Sequence, residues 1–282
     1  MSRLRIGTCG CRLSPGVSPA QPTPEGIGYL QEYTRTYNTI ELDRWFWPPP
    51  DSREPMFPQP WEVEAYRRCV PPDFRFTVLV PLAITLGHHH GRSPGDPPTP
   101  NPHLLSPDLM CRFVESLEPL GDGLGPLILQ FSGLGRDAVA GQEDLLARLS
   151  SFLDQVPGEL QYAVDTVERE YRNAAQFEFI ARHGLVPVLV QELLAGPSIR
   201  EVHGTRRDLI VRGHAVVVKV LGEEWSTGVK DRIYLDGPPE DDGRVTAEIV
   251  RDLLGAGLDV YVNMVEFPRW PERHPGSAPS EY

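Results

Sequence analysis

Acid, amide, thiol and ammonium side chains recur in this sequence at the ends of short apolar runs. Thr8 and Cys9 close LRIGTC, Glu41 and Asp43 follow from TIELD, and Gln130 lies in PLILQF. Asp165 ends LQYAVD, Gln191 and Glu192 follow VPVLV, Lys219 interrupts AVVVKVL, and Asn263 lies in LDVYVNM with Glu266 just beyond. Polar groups carried on buried segments cost free energy unless they are paired or face a solvated pocket, so their recurrence reads as a pocket lining. Glu41 is suited to general acid or base chemistry. Lys219 would be its electrostatic partner, with Asp165 a second carboxylate. These three are the candidate catalytic residues, and Thr8, Asp43, Trp45, Gln130, Gln191 and Asn263 the candidate ligand-binding residues. The competing reading of Glu41 is a structural carboxylate paired with Lys219, because buried acids rarely lack a partner.

Other chemistries are weaker. Glu41, Asp165 and Glu192 could form an oxygen-rich site for Mg²⁺ or Mn²⁺. Cys9 and Cys11, with His88, His89 and His90, offer thiolates and imidazoles that suit zinc or copper. Three consecutive histidines cannot all face one ion, and a CxC pair is equally a small residue in a tight glycine turn. No metal ligand is therefore assigned and the cofactor is left open. Trp45, Phe46 and Trp47 could stack on a base or sugar ring, or pack under the prolines that follow. Arg200, Arg206, Arg207 and Arg212 could bind phosphate, or form a solvated face paired to acids. No nucleophile elbow is present for acyl transfer, no GxGxxG follows the first strand, and no GxxxxGK[ST] occurs.

The elements that must position these groups alternate. Strands are predicted at 4–8, 39–42, 74–80, 126–131, 160–165, 186–190, 215–221 and 258–264. Helices are predicted at 25–37, 61–69, 107–120, 142–156, 171–183 and 246–254, from apolar spacing of three and four, a Ser106–Pro107 start and glycine stops. The unbroken apolar runs of the later strands fit burial on both faces. Eight such units in roughly 250 residues suit a single-domain (β/α)8 TIM-type barrel over 1–282. The last helix is expected to be short or missing. Residues 82–106 form a long loop after the third strand, a lid or an unstructured excursion. Residues 196–214 read as a second, basic insertion.

Of 282 residues, 40% are hydrophobic and the net charge is −12. That charge argues against broad binding to nucleic acid or an anionic membrane, so nucleic acid is an unlikely partner. No apolar stretch is long enough to span a bilayer. Four cysteines do not form a disulfide framework, and a reduced, cytoplasmic protein is expected.

Several strings taken in order resemble one family. IGTCGC (6–11), YNTIELDRWFWPPP (37–50), FRFTVLVPLAIT (74–85) and LEPLGDGLGPLILQF (117–131) are similar to segments of the YecE-like proteins, domain-of-unknown-function family 72. LQYAVD, VVVKVLG and LDVYVNM follow in the family's order. The resemblance implies a TIM barrel near the endonuclease IV and xylose isomerase-like barrels, and implies no established reaction. The chain also departs from the family. Cys11 replaces an aromatic residue, and Leu79 and Leu82 replace Lys and Arg. The Arg and His of a Glu-Phe-Arg-His run are absent after Asp165, and Gln191 replaces an acid. Lys219 and Leu221 replace Arg and His, and Asn263 stands for an Asn pair. The leading expectation is an enzyme, or a degenerate relative of one, for a small polar molecule. A nucleic-acid-processing protein and a non-catalytic interaction scaffold are the alternatives.

Overall fold

The computed structural model describes residues 2–10, 24–48, 55–89, 97–167, 169–191, 198–221 and 242–265. Eight parallel strands close into a barrel in the order β1 (Leu4–Cys9), β10 (Asp259–Val265), β9 (Ala215–Leu221), β8 (Val186–Val190), β7 (Tyr162–Thr166), β6 (Leu124–Phe131), β3 (Arg75–Leu79) and β2 (Thr39–Leu42). All eight predicted strands enter it. Helices lie between them: α1 (Pro24–Tyr33), α2 (Pro60–Arg68), α4 (Pro107–Leu117), α5 (Gln142–Leu153), α6 (Ala174–Arg182), α7 (Ile199–Ile210) and α8 (Asp242–Gly255). The start of α4 is set as its sequence dictates, with Pro107 in the first turn and the Ser106 hydroxyl accepting from the Leu109 amide.

Two expectations are corrected. The basic stretch 196–214 holds α7, the crossover helix between β8 and β9, and not an insertion. Its many charges hid the apolar side, where Ile199 and Ile210 are buried. Within 82–106 the described residues are ordered: a short helix α3 (Leu82–Thr85), then β4 (His88–His89) antiparallel to β5 (Thr99–Pro100). Asn101 pins this excursion by donating to the Ala83 and Leu86 carbonyls. The expected short or missing final helix falls on 266–282, outside the described residues.

Alternation along the strands divides the core. Ile128, Ala163, Val188, Val217 and Tyr261 fill the barrel interior, and Phe46 and Leu79 pack with them. The outward side chains meet the helices in two further clusters, one including Leu30, Tyr66, Phe113 and Leu149, the other Ile199, Ile249 and Leu253.

The barrel is not sealed uniformly. β1 pairs with β10 at every residue from Leu4 to Cys9, but with β2 only at Cys9–Glu41. Beyond that pair the Asn38 amide donates to the Ile6 carbonyl at 3.1 Å and the Gly10 amide to the Glu41 carbonyl at 3.0 Å, and side chains supply the other links. The Tyr33 hydroxyl accepts from the Thr8 amide at 2.8 Å and donates to the Thr39 carbonyl at 2.9 Å. The Asn38 side chain accepts from the Ile6 amide at 2.7 Å and donates to the Leu4 carbonyl at 3.1 Å. Gly7 permits this approach, since a Cβ there would stand 2.0 Å from the Thr39 carbonyl oxygen.

Tyr33→Phe leaves the buried Thr8 amide and Thr39 carbonyl without their bridge. A loss of about 1–3 kcal/mol is expected in urea unfolding, with an unchanged far-ultraviolet spectrum. A variant as stable as wild type would mean that the backbone closes this seam unaided.

Candidate functional site

The groups that face one another at the C-terminal end of the barrel come from seven of its strands. Cys9 is carried by β1, Glu41 by β2, Thr77 by β3, Gln130 by β6, Asp165 by β7, Lys219 by β9 and Asn263 by β10. Register explains the convergence. Glu41 lies beside Cys9 and Thr77, Gln130 beside Asp165, and Lys219 beside Asn263, so these side chains share the inner face.

Lys219 is the hub. Its Nζ lies 3.2 Å from Glu41 Oε1 and 3.8 Å from Asp165 Oδ2, and it donates to Gln130 Oε1 at 3.1 Å. The other Glu41 oxygen accepts from Asn263 Nδ2 at 3.0 Å, and the same amide nitrogen donates to Thr77 Oγ1 at 3.2 Å. Glu41, Lys219, Asp165 and Asn263 are all buried. Burial pulls the Lys219 ammonium toward its neutral form, but Glu41 and then Asp165 outweigh it and hold the group well above the ordinary lysine range. Lys219 is therefore a fixed positive charge and not a free amine nucleophile. Burial, reinforced by the Glu41 carboxylate, pushes the Cys9 thiol well above its usual range, so Cys9 stays protonated and hydrogen-bonds Glu41.

Asp165 has a second partner that the sequence reading missed. Arg172, in the segment after β7, reaches Asp165 Oδ1 with Nη2 at 2.6 Å and also donates from Nε to the Thr166 carbonyl. The cation judged absent after this strand is supplied seven residues beyond Asp165. The available signal was an arginine within reach of a strand-end acid. Thr77 was also missed, although it shares the inward parity of Arg75 and Leu79. The Asn263 Oδ1 atom is buried and has no hydrogen-bond partner among the described residues.

Other expected site residues lie elsewhere. Thr8 points outward, with its hydroxyl against Tyr33, because Gly7 and Cys9 take the inner positions. Trp45 is 1% exposed in the outer core, edge-on to Tyr66, and packs where a ligand was expected. Gln191 follows inward-facing Val190, so alternation turns it from the interior; its Oε1 is buried and has no partner among the described residues. Asp43 stands at the rim against Gly10, whose φ is +53° and whose Cβ would lie 2.4 Å from the carboxylate. Trp47 is the exposed aromatic of the trio, at 57%, edge-on to buried Phe46. Arg207 of the basic stretch pairs with Asp252 of α8, joined by His203. Among the described residues no group of three or more His, Cys, Asp or Glu is placed to hold a metal ion. Cys11, His90, Glu192 and Glu266 lie outside those residues.

His88 ties two loops of this face together. Nδ1 lies 2.9 Å from the Gly133 carbonyl and Nε2 2.9 Å from Asp137 Oδ1, so both ring nitrogens face acceptors. The Gly133 carbonyl and Asp137 raise the imidazole above its ordinary value despite desolvation, and the His88 contact lowers Asp137.

The family model described as protein of unknown function DUF72 matches residues 5–262. The chain belongs to the DUF72 family. Among its relatives, the UPF0759 protein YecE of Escherichia coli O157:H7 is 27% identical over 181 residues, which is 64% of this chain and 56% of that protein. The match thus spans little more than half the length of the curated relative. A DUF72 family protein from Enterococcus faecalis V583 superposes with a TM-score of 0.62 at 17% identity, covering 95% of this chain and 92% of the other. One from Thermotoga maritima MSB8 gives 0.59 at 18% identity, covering 93% and 92%. These likenesses establish the DUF72 barrel as the fold. No helix among the described residues is long and apolar enough to cross a membrane.

Two outcomes follow. Lys219→Met leaves Glu41 and Asp165 without their shared cation, and about 3–5 kcal/mol of stability should be lost in chemical denaturation. Stability equal to wild type would show that the carboxylates do not need it. The raised His88 value stabilises the fold fully below the unfolded histidine value of 6.5, and that contribution falls away as pH rises through the folded value. The lowered Asp137 value limits it on the acid side, where protonation of the carboxylate removes the pair. Melting curves between about pH 5.5 and 8.5 should therefore show a slope that His88→Gln abolishes. An identical slope in the variant would place the titration elsewhere.

Proposed function

We propose that this DUF72 protein is an enzyme for a small, hydroxyl-rich polar molecule, with Glu41 as its general acid or base. The observation that carries this is the buried Glu41–Lys219–Asp165 cluster at the end of the barrel where reacting groups are carried, with one amide oxygen of Asn263 lacking a donor. An unpartnered buried acceptor favours a ligand hydroxyl or a water that a ligand displaces. In this reading Glu41 moves a proton to or from the bound molecule. Lys219 stabilises negative charge that develops beside it, in a site where few waters screen the interaction. Gln130, Asp165 and Asn263 orient the ligand, and Cys9 keeps one Glu41 oxygen occupied by a weak donor.

Charge balance points to the ligand class. Glu41 and Asp165 are offset by Lys219 and Arg172, so the cluster carries no surplus positive charge to hold a polyanion. Neutral sugar-like molecules suit it, and the exposed face of Trp47 offers a surface for their apolar side. The acid–base balance of the cluster likewise supports no nucleic-acid reading.

The test is a ligand-detected NMR screen of polyols, sugars and hydroxy acids, followed by turnover assays on the molecules that bind. Glu41→Gln preserves shape and hydrogen bonding while removing the ionisable group. It should keep binding within about tenfold and lower turnover by 10²-fold or more. Wild-type turnover in Glu41→Gln would remove Glu41 from the reaction.

A further inference from the structure

The opposite end of the barrel presents a cation without a counter-charge. Two arginines lie on its inner side: Arg5, with little exposure, and Arg75 at intermediate exposure. Arg5 is 4% exposed and has no carboxylate within 4 Å among the described residues. Its Nη1 donates to the Asp73 carbonyl at 2.7 Å, its guanidinium carbon lies 5.8 Å from the Tyr261 ring centroid, and its Nε is buried without a partner among the described residues. A buried charge without a carboxylate is costly, and here a carbonyl and Tyr261, through its ring and its phenol, are the compensation.

Arg75 is brought to the same place by the same turn. Its Nη1 donates to the Pro72 carbonyl at 3.1 Å and to the Phe74 carbonyl at 3.0 Å. The two guanidiniums therefore hold the carbonyls of three consecutive residues, and the charge of Arg5 acts on Arg75. Burial first, and then Arg5, pull Arg75 below its ordinary value; Tyr261 opposes them, Arg3 adds to the lowering, and Asp122 opposes it. Neighbouring acids do not neutralise the group. The Asp259 carboxylate is engaged by the Arg3 amide, and no ion pair joins Asp73, Asp122 or Asp259 to Arg3, Arg5 or Arg75 among the described residues.

We propose that Arg5 and Arg75, with Arg3 at the rim, form a binding site for an oxyanion of the phosphate class at the N-terminal mouth of the barrel. Forked guanidinium donors match a tetrahedral oxyanion in geometry, and the unpartnered Arg5 Nε is the donor left to make that contact. The site faces away from the Glu41 cluster and does not depend on the function assigned there. Its occupant would neutralise the arginine pair and so stabilise the folded chain in proportion to its concentration.

The probe is inorganic phosphate, titrated by calorimetry at constant ionic strength with chloride as the balancing anion. Wild-type protein should show saturable one-site binding, and Arg75→Gln should weaken it at least tenfold with an unchanged circular dichroism spectrum. Arg3→Gln, at an exposed position, should weaken it severalfold and serves if Arg75→Gln does not fold. Absence of saturable binding to wild type, or undiminished affinity in whichever of these variants folds, would overturn the assignment.

Discussion

The Lys219 ammonium is the interaction on which the upper half of this barrel depends. Two carboxylates and an amide converge on it, and through Glu41 the contacts reach Asn263, Thr77 and Cys9. One cation thereby links side chains from seven strands. Each member would be costly to bury alone, and each is tolerable because the others are present. Cooperativity of that kind ties the site to the fold: the strands must be in register before the charges can meet, and the charges penalise any slip that separates them.

The same logic separates the two ends of the molecule. At the C-terminal mouth the positive and negative groups balance, leaving directional hydrogen-bonding capacity without excess charge. At the N-terminal mouth two guanidiniums share one turn and lean on backbone carbonyls and a tyrosine ring. In a strongly acidic chain, these two arginines have no ion pair among the described residues.

Strand identity was legible because runs such as AVVVKVL and FRFTVL carry the burial pattern in their composition, and the candidate acid, lysine and asparagine were legible as polar interruptions of those runs. Which way a side chain faces was less so. Thr8 and Gln191 each lie one residue from an inward position, and a single step of alternation sends them to the other side. Trp45 was misplaced because three adjacent aromatics give no sign of which one fills the core. α7 was hidden by its arginines, whose charges dominate the segment although Ile199 and Ile210 bury its inner side. Arg172 was overlooked because its partner is seven residues away, a spacing defined by the path of a loop and not by any helical or strand period. The buried Glu41–Lys219 pair satisfies both the catalytic and the structural readings of Glu41, so the sequence could pose that choice but not decide it.

The seam between β1 and β2 has a consequence for assembly. β1 makes its full ladder with β10, late in the chain, and meets the β2 segment through a few backbone bonds supplemented by the Tyr33 hydroxyl and the Asn38 side chain. During synthesis the opening strand thus has no complete neighbour until the last strand has left the ribosome. Helix α1 is its local caretaker in the interval, holding Thr8 through one phenol. Closure is then a long-range event, and slow folding with a late, all-or-none locking step is the kinetic signature such a topology entails.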